Sequence, residues 1–216
     1  MAVDFGPIWL SLRLAGITSL VLLVLLLPLA WAMARSRRAW IPFVESLFSL
    51  GLVLPPTVLG FYVLVFFSPA SPIGTWLEAN WGIRLAFNFQ GLVLASLFAG
   101  IPYMLGPLQA SMKAVPQTLL EASWALGKGP AETFIRVVLP AIRPGILVGL
   151  ISTAAHTLGE FGVVLMIGGS IPDLTRVVSI AMYEAAESGN LCQAHAYALI
   201  MVSISYACVL AMNLIQ

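Results

Sequence analysis

Two ionisable side chains, His156 and Glu160, stand four residues apart inside an otherwise apolar stretch. On a helix that spacing places both on one face, within reach of a hydrogen bond. A charge at the centre of a membrane helix costs about 2.5–3.5 kcal/mol on insertion scales. Both groups are therefore expected to face protein or water rather than lipid. Two readings stay open: a place on an ion path or its gate, or a polar tie between neighbouring helices. Metal chemistry is not expected, because His156 and His195 fall short of the three or four ligands a centre needs. Nor does the chain carry a nucleophile beside a base, a Gly-x-x-x-x-Gly-Lys-Ser/Thr loop or a dinucleotide-binding glycine pattern. The sequence predicts no catalytic residue and no cofactor bound by this chain.

The second feature is Pro55-Pro56-Thr57. Neither proline can donate a backbone hydrogen bond, so the carbonyls near Gly51 and Leu52 are freed and a helix there should kink. Such a break can gate a path. It can equally be a packing adjustment that neighbouring helices satisfy.

The third feature is the segment from Lys113 to Pro140. Pro116 suits a first helical turn, and a helix is predicted from Gln117 to Leu126, stopped by Gly127 in the left-handed cap position. Leu119, Ala122 and Leu126 fall on one face, with Leu120 and Trp124 beside it. Small residues such as Ala122 and Ser123 permit close backbone approach. A second short helix, bearing Glu132 and Arg136, is expected after Gly129-Pro130, with Leu139-Pro140 leading into the next long element. The residues alone fit either a docking element for a partner or an amphipathic loop on the inner leaflet.

Composition identifies what must position these groups. The 216 residues are 60% hydrophobic and 9% charged, with a mean hydropathy of +1.00. Soluble domains carry about 25% charged residues, so this chain is read as an integral membrane protein. Ten Lys and Arg against nine Asp and Glu exclude a basic nucleic-acid binder. Five apolar runs can each cross a hydrocarbon core as a helix: Leu14–Ala34, Ser46–Phe67, Leu85–Met112, about Ile142–Ile167, and about Ala194 to the C-terminus. The first makes a poor signal peptide, since its basic cluster follows the run.

Seven basic residues (Arg35, Arg37, Arg38, Lys113, Lys128, Arg136, Arg143) fall on one side against three (Arg13, Arg84, Arg176) on the other. The positive-inside rule then predicts N-out, C-in. A sixth crossing over Val177–Ala186 is not excluded, but the stretch is short and reads as an interfacial or re-entrant helix. Trp9, Trp76 and Trp81 are placed in the outer aromatic belt, and Trp40 in the inner one. Cys192 and Cys208 are too far apart along one helix for a disulfide. Residues 1–216 read as one membrane domain, with the patterned loop at about 113–140.

Glu121-Ala122-Ser123, three residues, Gly127, nine residues, then Val137-Val138-Leu139-Pro140 resembles the EAA loop of ABC importer membrane subunits, departing at Ser123 (usually Ala) and Val137 (usually Ile). Leu54-Pro55-Pro56-Thr57-Val58-Leu59-Gly60 is similar to the Leu-Pro-Pro segment of oxyanion permeases. Leu158-Gly159-Glu160-Phe161-Gly162 is similar to a signature shared by molybdate and sulfate permeases, although His156 stands where related chains commonly have Arg. Gly168-Gly169-Ser170-Ile171-Pro172, Thr175-Arg176 and Ala181-Met182-Tyr183 are similar to the molybdate branch.

The resemblance implies an all-α, type I ABC importer permease core of five or six transmembrane helices with cytoplasmic coupling helices. It implies a homodimer in a bacterial or archaeal cell membrane, two cytoplasmic ATPase subunits that hold ATP and Mg, and a periplasmic or lipoprotein oxyanion-binding protein. The implied cargo is molybdate or tungstate. A sulfate or thiosulfate permease, or a secondary transporter working without ATP, is the alternative. Glu121, Ala122, Ser123, Leu126, Gly127, Leu139 and Pro140 would couple to the ATPase. Pro55, Pro56, Thr57, His156 and Glu160 would form the path or gate. Arg84 and Arg176 would meet the binding protein, or simply be solvated. Glu121→Lys is expected to weaken co-purification of the ATPase; full retention would remove Glu121 from that interface.

Overall fold

An apolar medium offers a peptide group no water to bond, so a spanning chain folds into helices that satisfy their own backbone. The computed structural model describes residues 4–36 and 38–215, and no strand is found among them. Arg37, read above with the basic cluster, lies outside the described residues. Helix α1 (Gly6–Arg35) begins earlier than the charge-free run, because Arg13 is carried within the helix and rests over the Phe89 ring at 4.7 Å. Helices α2 (Ile41–Val53) and α3 (Pro56–Phe67) follow, bent by 109° at Leu54-Pro55. A short α4 (Pro72–Trp81) leads into α5 (Phe89–Ala114).

The patterned loop holds α6 (Gln117–Ala125), then α7 (Pro130–Thr133), which runs through a π-helical turn (Phe134–Val138) into α8 (Leu139–Ala141). The π turn precedes Pro140, which has no N–H to donate; Leu139 N–H reaches back to the Phe134 carbonyl instead. Beyond a 68° bend come α9 (Arg143–Gly159) and α10 (Gly162–Gly168). Then α11 (Val178–Glu187) and α12 (Leu191–Ile215) complete the chain.

Helices α1, α5 and α12 are each long and apolar enough to cross a membrane, and the two bent pairs raise the number to five. Helix α11 is not a sixth crossing. It starts buried against α1 and ends at an exposed turn over Ser188 and Gly189. The expectation of one continuous fourth span is corrected. Helix α9 ends at Gly159, and Glu160 has extended backbone (φ −68°, ψ 126°) before α10 resumes.

At the centre α1, α5 and α9 pack on one another. Their buried side chains form an inner cluster around Leu22, Met104, Leu108 and Ile142, while an outer cluster around Leu14, Leu92, Val163 and Ile167 unites α1, α5 and α10. Between membrane helices, where lipid tails are as apolar as leucine, close approach of small residues supplies much of the packing. Gly145 of α9 sits directly against Ser111 of α5, and a Cβ there would lie 3.0 Å from the Pro107 carbonyl. Gly145→Val is therefore expected to lower stability by about 1–3 kcal/mol. Thermal unfolding of the detergent-solubilised protein checks this.

Candidate functional site

The break in the second span arises as the prolines dictate. Leu54 N–H still bonds the Leu50 carbonyl at 2.9 Å, but the next two donors are missing, so the Gly51 and Leu52 carbonyls have no helical partner. Helix α3 restarts at Pro56, whose fixed φ suits a first helical position.

The break in the fourth span is held by side chains instead. Glu160 Oε1 accepts the Val163 N–H at 3.1 Å, satisfying one of the orphan donors at the start of α10. The Glu160 backbone carbonyl accepts the Ser179 hydroxyl at 2.7 Å.

These two breaks dock on each other. A Cβ on Gly60 of α3 would lie 2.9 Å from the Val163 Cα of α10, and one on Gly162 would lie 3.1 Å from the Thr57 nitrogen. Side chains at either position would hold the broken spans apart. Where the breaks meet they leave an open recess of about 550 Å³, lined by Pro56, Thr57, His156, Glu160, Phe161 and Gly162 among others. Four of the five expected path residues, Pro56, Thr57, His156 and Glu160, thus share one cavity. Pro55 makes the bend but does not line it.

His156 Nε2 lies 3.2 Å from Glu160 Oε2, yet its direction of approach makes no hydrogen bond. The two side chains foreseen as neighbours from helical spacing do lie side by side, with no hydrogen bond between them. The imidazole instead stacks flat on the Tyr103 ring, with centroids 3.9 Å apart and planes at 15°. The sequence reading missed Tyr103 and Ser179, since nothing in spacing links α5 or α11 to the fourth span.

The patterned loop is a second, separate site. Its α6 turns inward through Leu120, fully buried, and Ser123, 4% exposed, whose hydroxyl meets that of Thr133 at 2.9 Å. Ser123 therefore ties the loop to itself. Outward stand Leu119, Ala122, Trp124 and Leu126, the last 78% exposed. Glu121 and Pro140 are exposed as well, and Leu139 is half-buried. Leu120 and Trp124, one turn apart, differ in exposure: Leu120 is buried and Trp124 is 47% exposed.

Gly127 has φ +77°, and its N–H bonds the Trp124 carbonyl while Lys128 N–H reaches the Ser123 carbonyl. This paired bonding is the Schellman helix stop that glycine favours. Lys128 and Arg136 both approach Glu132, at 2.7 and 3.3 Å, and hold its carboxyl below the ordinary range, chiefly through the Lys128 hydrogen bond. The loop is moored to the bundle by Arg35 Nη1 donating to Gln117 at 3.1 Å and by Trp31 against Phe134 at 5.2 Å.

Arg84 and Arg176, offered above as outer contacts, pair within the chain: Arg84 with Glu78, and Arg176 Nε 2.9 Å from Glu184 Oε2.

A bundle with two spans broken at one recess and a helical loop moored beside it is the build of a multi-pass membrane protein. The family described as "Binding-protein-dependent transport system inner membrane component" matches residues 15–216, and the chain belongs to that family. It is 43% identical over 209 residues to the molybdenum transport system permease protein ModB of Azotobacter vinelandii, covering 97% of this chain and 92% of that one. It is 34% identical over 203 residues to the putative molybdenum transport system permease protein YvgM of Bacillus subtilis (strain 168), covering 94% and 89%. Among solved structures, the inward-facing MetNI methionine ABC transporter superposes with a TM-score of 0.74 at 16% identity, covering 97% of this chain and 92% of that one. That likeness is one of fold.

An amide oxygen can still accept the Val163 N–H, so Glu160→Gln is expected to stay near wild-type stability. Glu160→Ala leaves that donor unpaired and is expected to cost about 1–3 kcal/mol, as read by thermal unfolding in detergent.

Proposed function

We propose that this chain is the permease subunit of an ATP-driven importer of molybdate or tungstate, placed in the inner membrane of a bacterial or archaeal cell. Two copies about a twofold axis form the path, since five spans scarcely enclose a hydrated dianion and a self-complementary pair can. Two cytoplasmic ATPase subunits carry the ATP and Mg, and a periplasmic or lipoprotein binding protein delivers the oxyanion from outside. The observation that carries the reading is the geometry of the 113–140 loop. One side is held to the bundle by buried Leu120, by Arg35 on Gln117 and by Trp31 against Phe134, while Leu119, Ala122, Trp124 and Leu126 are left uncovered beside the Gly127 corner.

A body gripped on that free face transmits force to the spans rather than bending away from them. Closure of the ATPases around ATP drags the paired loops and rocks the bundles from inward- to outward-facing. Glu121, Ala122, Leu126, Gly127, Leu139 and Pro140 belong to this coupling region, with Ser123 holding its shape from within. The oxyanion passes the recess at Pro56, Thr57, His156 and Glu160. That recess has no Lys or Arg in its lining, which suits brief contacts, because a fixed cationic cage would hold the ion. The identity of the molybdenum-transport relatives supports the cargo.

The test is molybdate uptake into proteoliposomes holding this chain, its ATPase and the binding protein. Wild type is expected to take up molybdate only with ATP and to leave sulfate outside. Gly127→Leu strains a positive-φ position by about 1–2 kcal/mol and is expected to leave the complex assembled and hydrolysing ATP while uptake falls. Uptake that persists without the ATPase, or that Gly127→Leu does not change, would remove the coupling role.

A further inference from the structure

Helix α11 is the one element outside the broken spans that hydrogen-bonds the Glu160 break, among the described residues. Ser179, buried to 3% exposure, donates its hydroxyl to the Glu160 carbonyl at 2.7 Å. One turn on, the Tyr183 ring lies 5.0 Å from that of Phe161, the other residue of the break. Helix α11 is itself pinned to α1. Val178 N–H donates to Ser11 Oγ at 2.8 Å, and Ser11 in turn donates to the Pro7 carbonyl at 2.8 Å. Its far end is exposed at Glu187 and turns at Gly189 (φ +77°), on the side that the count of basic residues assigns to the outside. Glu160 therefore offers α11 its carbonyl while it also lines the recess.

We infer that Ser179 is a positioning residue: it holds the Glu160 break in register with the recess and makes α11 a strut joining the outer surface to the path. Glu160 is only 6% exposed, so its carbonyl at the break is met by protein, and the hydroxyl that meets it sets where the break lies. A push on the outer end of α11 is then delivered to Glu160 rather than absorbed in a loop. This inference rests on the importer reading above. It adds to that reading a residue and a route by which events outside reach the path.

The test uses the whole transporter in proteoliposomes. If the wild-type assembly shows no ATP-driven molybdate uptake, the importer reading fails and this inference falls with it. Given that uptake, Ser179→Ala is expected to lower the maximal rate per assembled transporter about tenfold, the effect of one lost buried hydrogen bond. The binding-protein concentration giving half-maximal uptake and the basal ATP hydrolysis are expected to stay unchanged. Ser179→Thr keeps the hydroxyl and is expected to restore most of the rate. Should Ser179→Ala not assemble, Ser179→Cys, a weak donor, replaces it with an intermediate rate expected. A wild-type rate in the Ala or Cys variant, an equal loss in Ala and Thr, or a loss that follows only the quantity of assembled complex would overturn the positioning role.

Discussion

A peptide group that leaves a helix inside a bilayer loses its partner, and this chain breaks its helices twice in one place. In the second span the difficulty is created by subtraction, since Pro55 and Pro56 withdraw two donors and turn the chain by 109°. In the fourth it is answered by addition: the Glu160 carboxylate serves the start of α10 and the Ser179 hydroxyl serves the end of α9. Gly60 and Gly162 then let the two breaks come into contact. The recess is the space left over when two broken helices are fitted together. Its lining follows from the same bonds that keep the breaks affordable in an apolar medium.

The 113–140 loop answers a different constraint. A segment outside the membrane gains little from its charges alone, because exposed ion pairs contribute about 0–1 kcal/mol. The Lys128, Glu132 and Arg136 cluster therefore orients α7 more than it stabilises the fold. What fixes the loop is burial of Leu120 in the inner cluster, together with the mooring of Gln117 to Arg35. With its shape set from beneath, the outward face is free to carry apolar residues that no other described residue covers. A surface Leu alone needs no explanation; Leu119 and Trp124 on one short helix, with Leu126 at its cap, do.

The spans were legible because a membrane demands long apolar runs, and the positive φ of Gly127 was legible because a helix followed by Gly has few other ways to stop. The break at Pro55 was legible for the same local reason. The break at Glu160 was not. No proline marks it, and a four-residue spacing from His156 reads as a continuing helix when only periodicity is weighed. Its trace in the sequence is the flanking pair Gly159 and Gly162 around a buried acid. Likewise Leu119 and Leu120 are equally apolar, so no pattern tells which of them enters the core. Ser179 could not be found at all, since its partner is nineteen residues away on another element.

The substitution of His for the commoner Arg at position 156 bears on how the recess handles an anion. A guanidinium is always charged and reaches far from its helix. An imidazole is charged only when protonated, and here it lies flat on Tyr103 beside the span rather than reaching across the cavity. Glu160, the one acid in the lining, has Oε1 committed to the Val163 N–H and Oε2 turned toward His156. Both ionisable groups of the recess are thus engaged by this chain's own atoms. What the lining leaves open to the cavity is the Thr57 hydroxyl, the Phe161 ring and small residues, with no Lys or Arg among them.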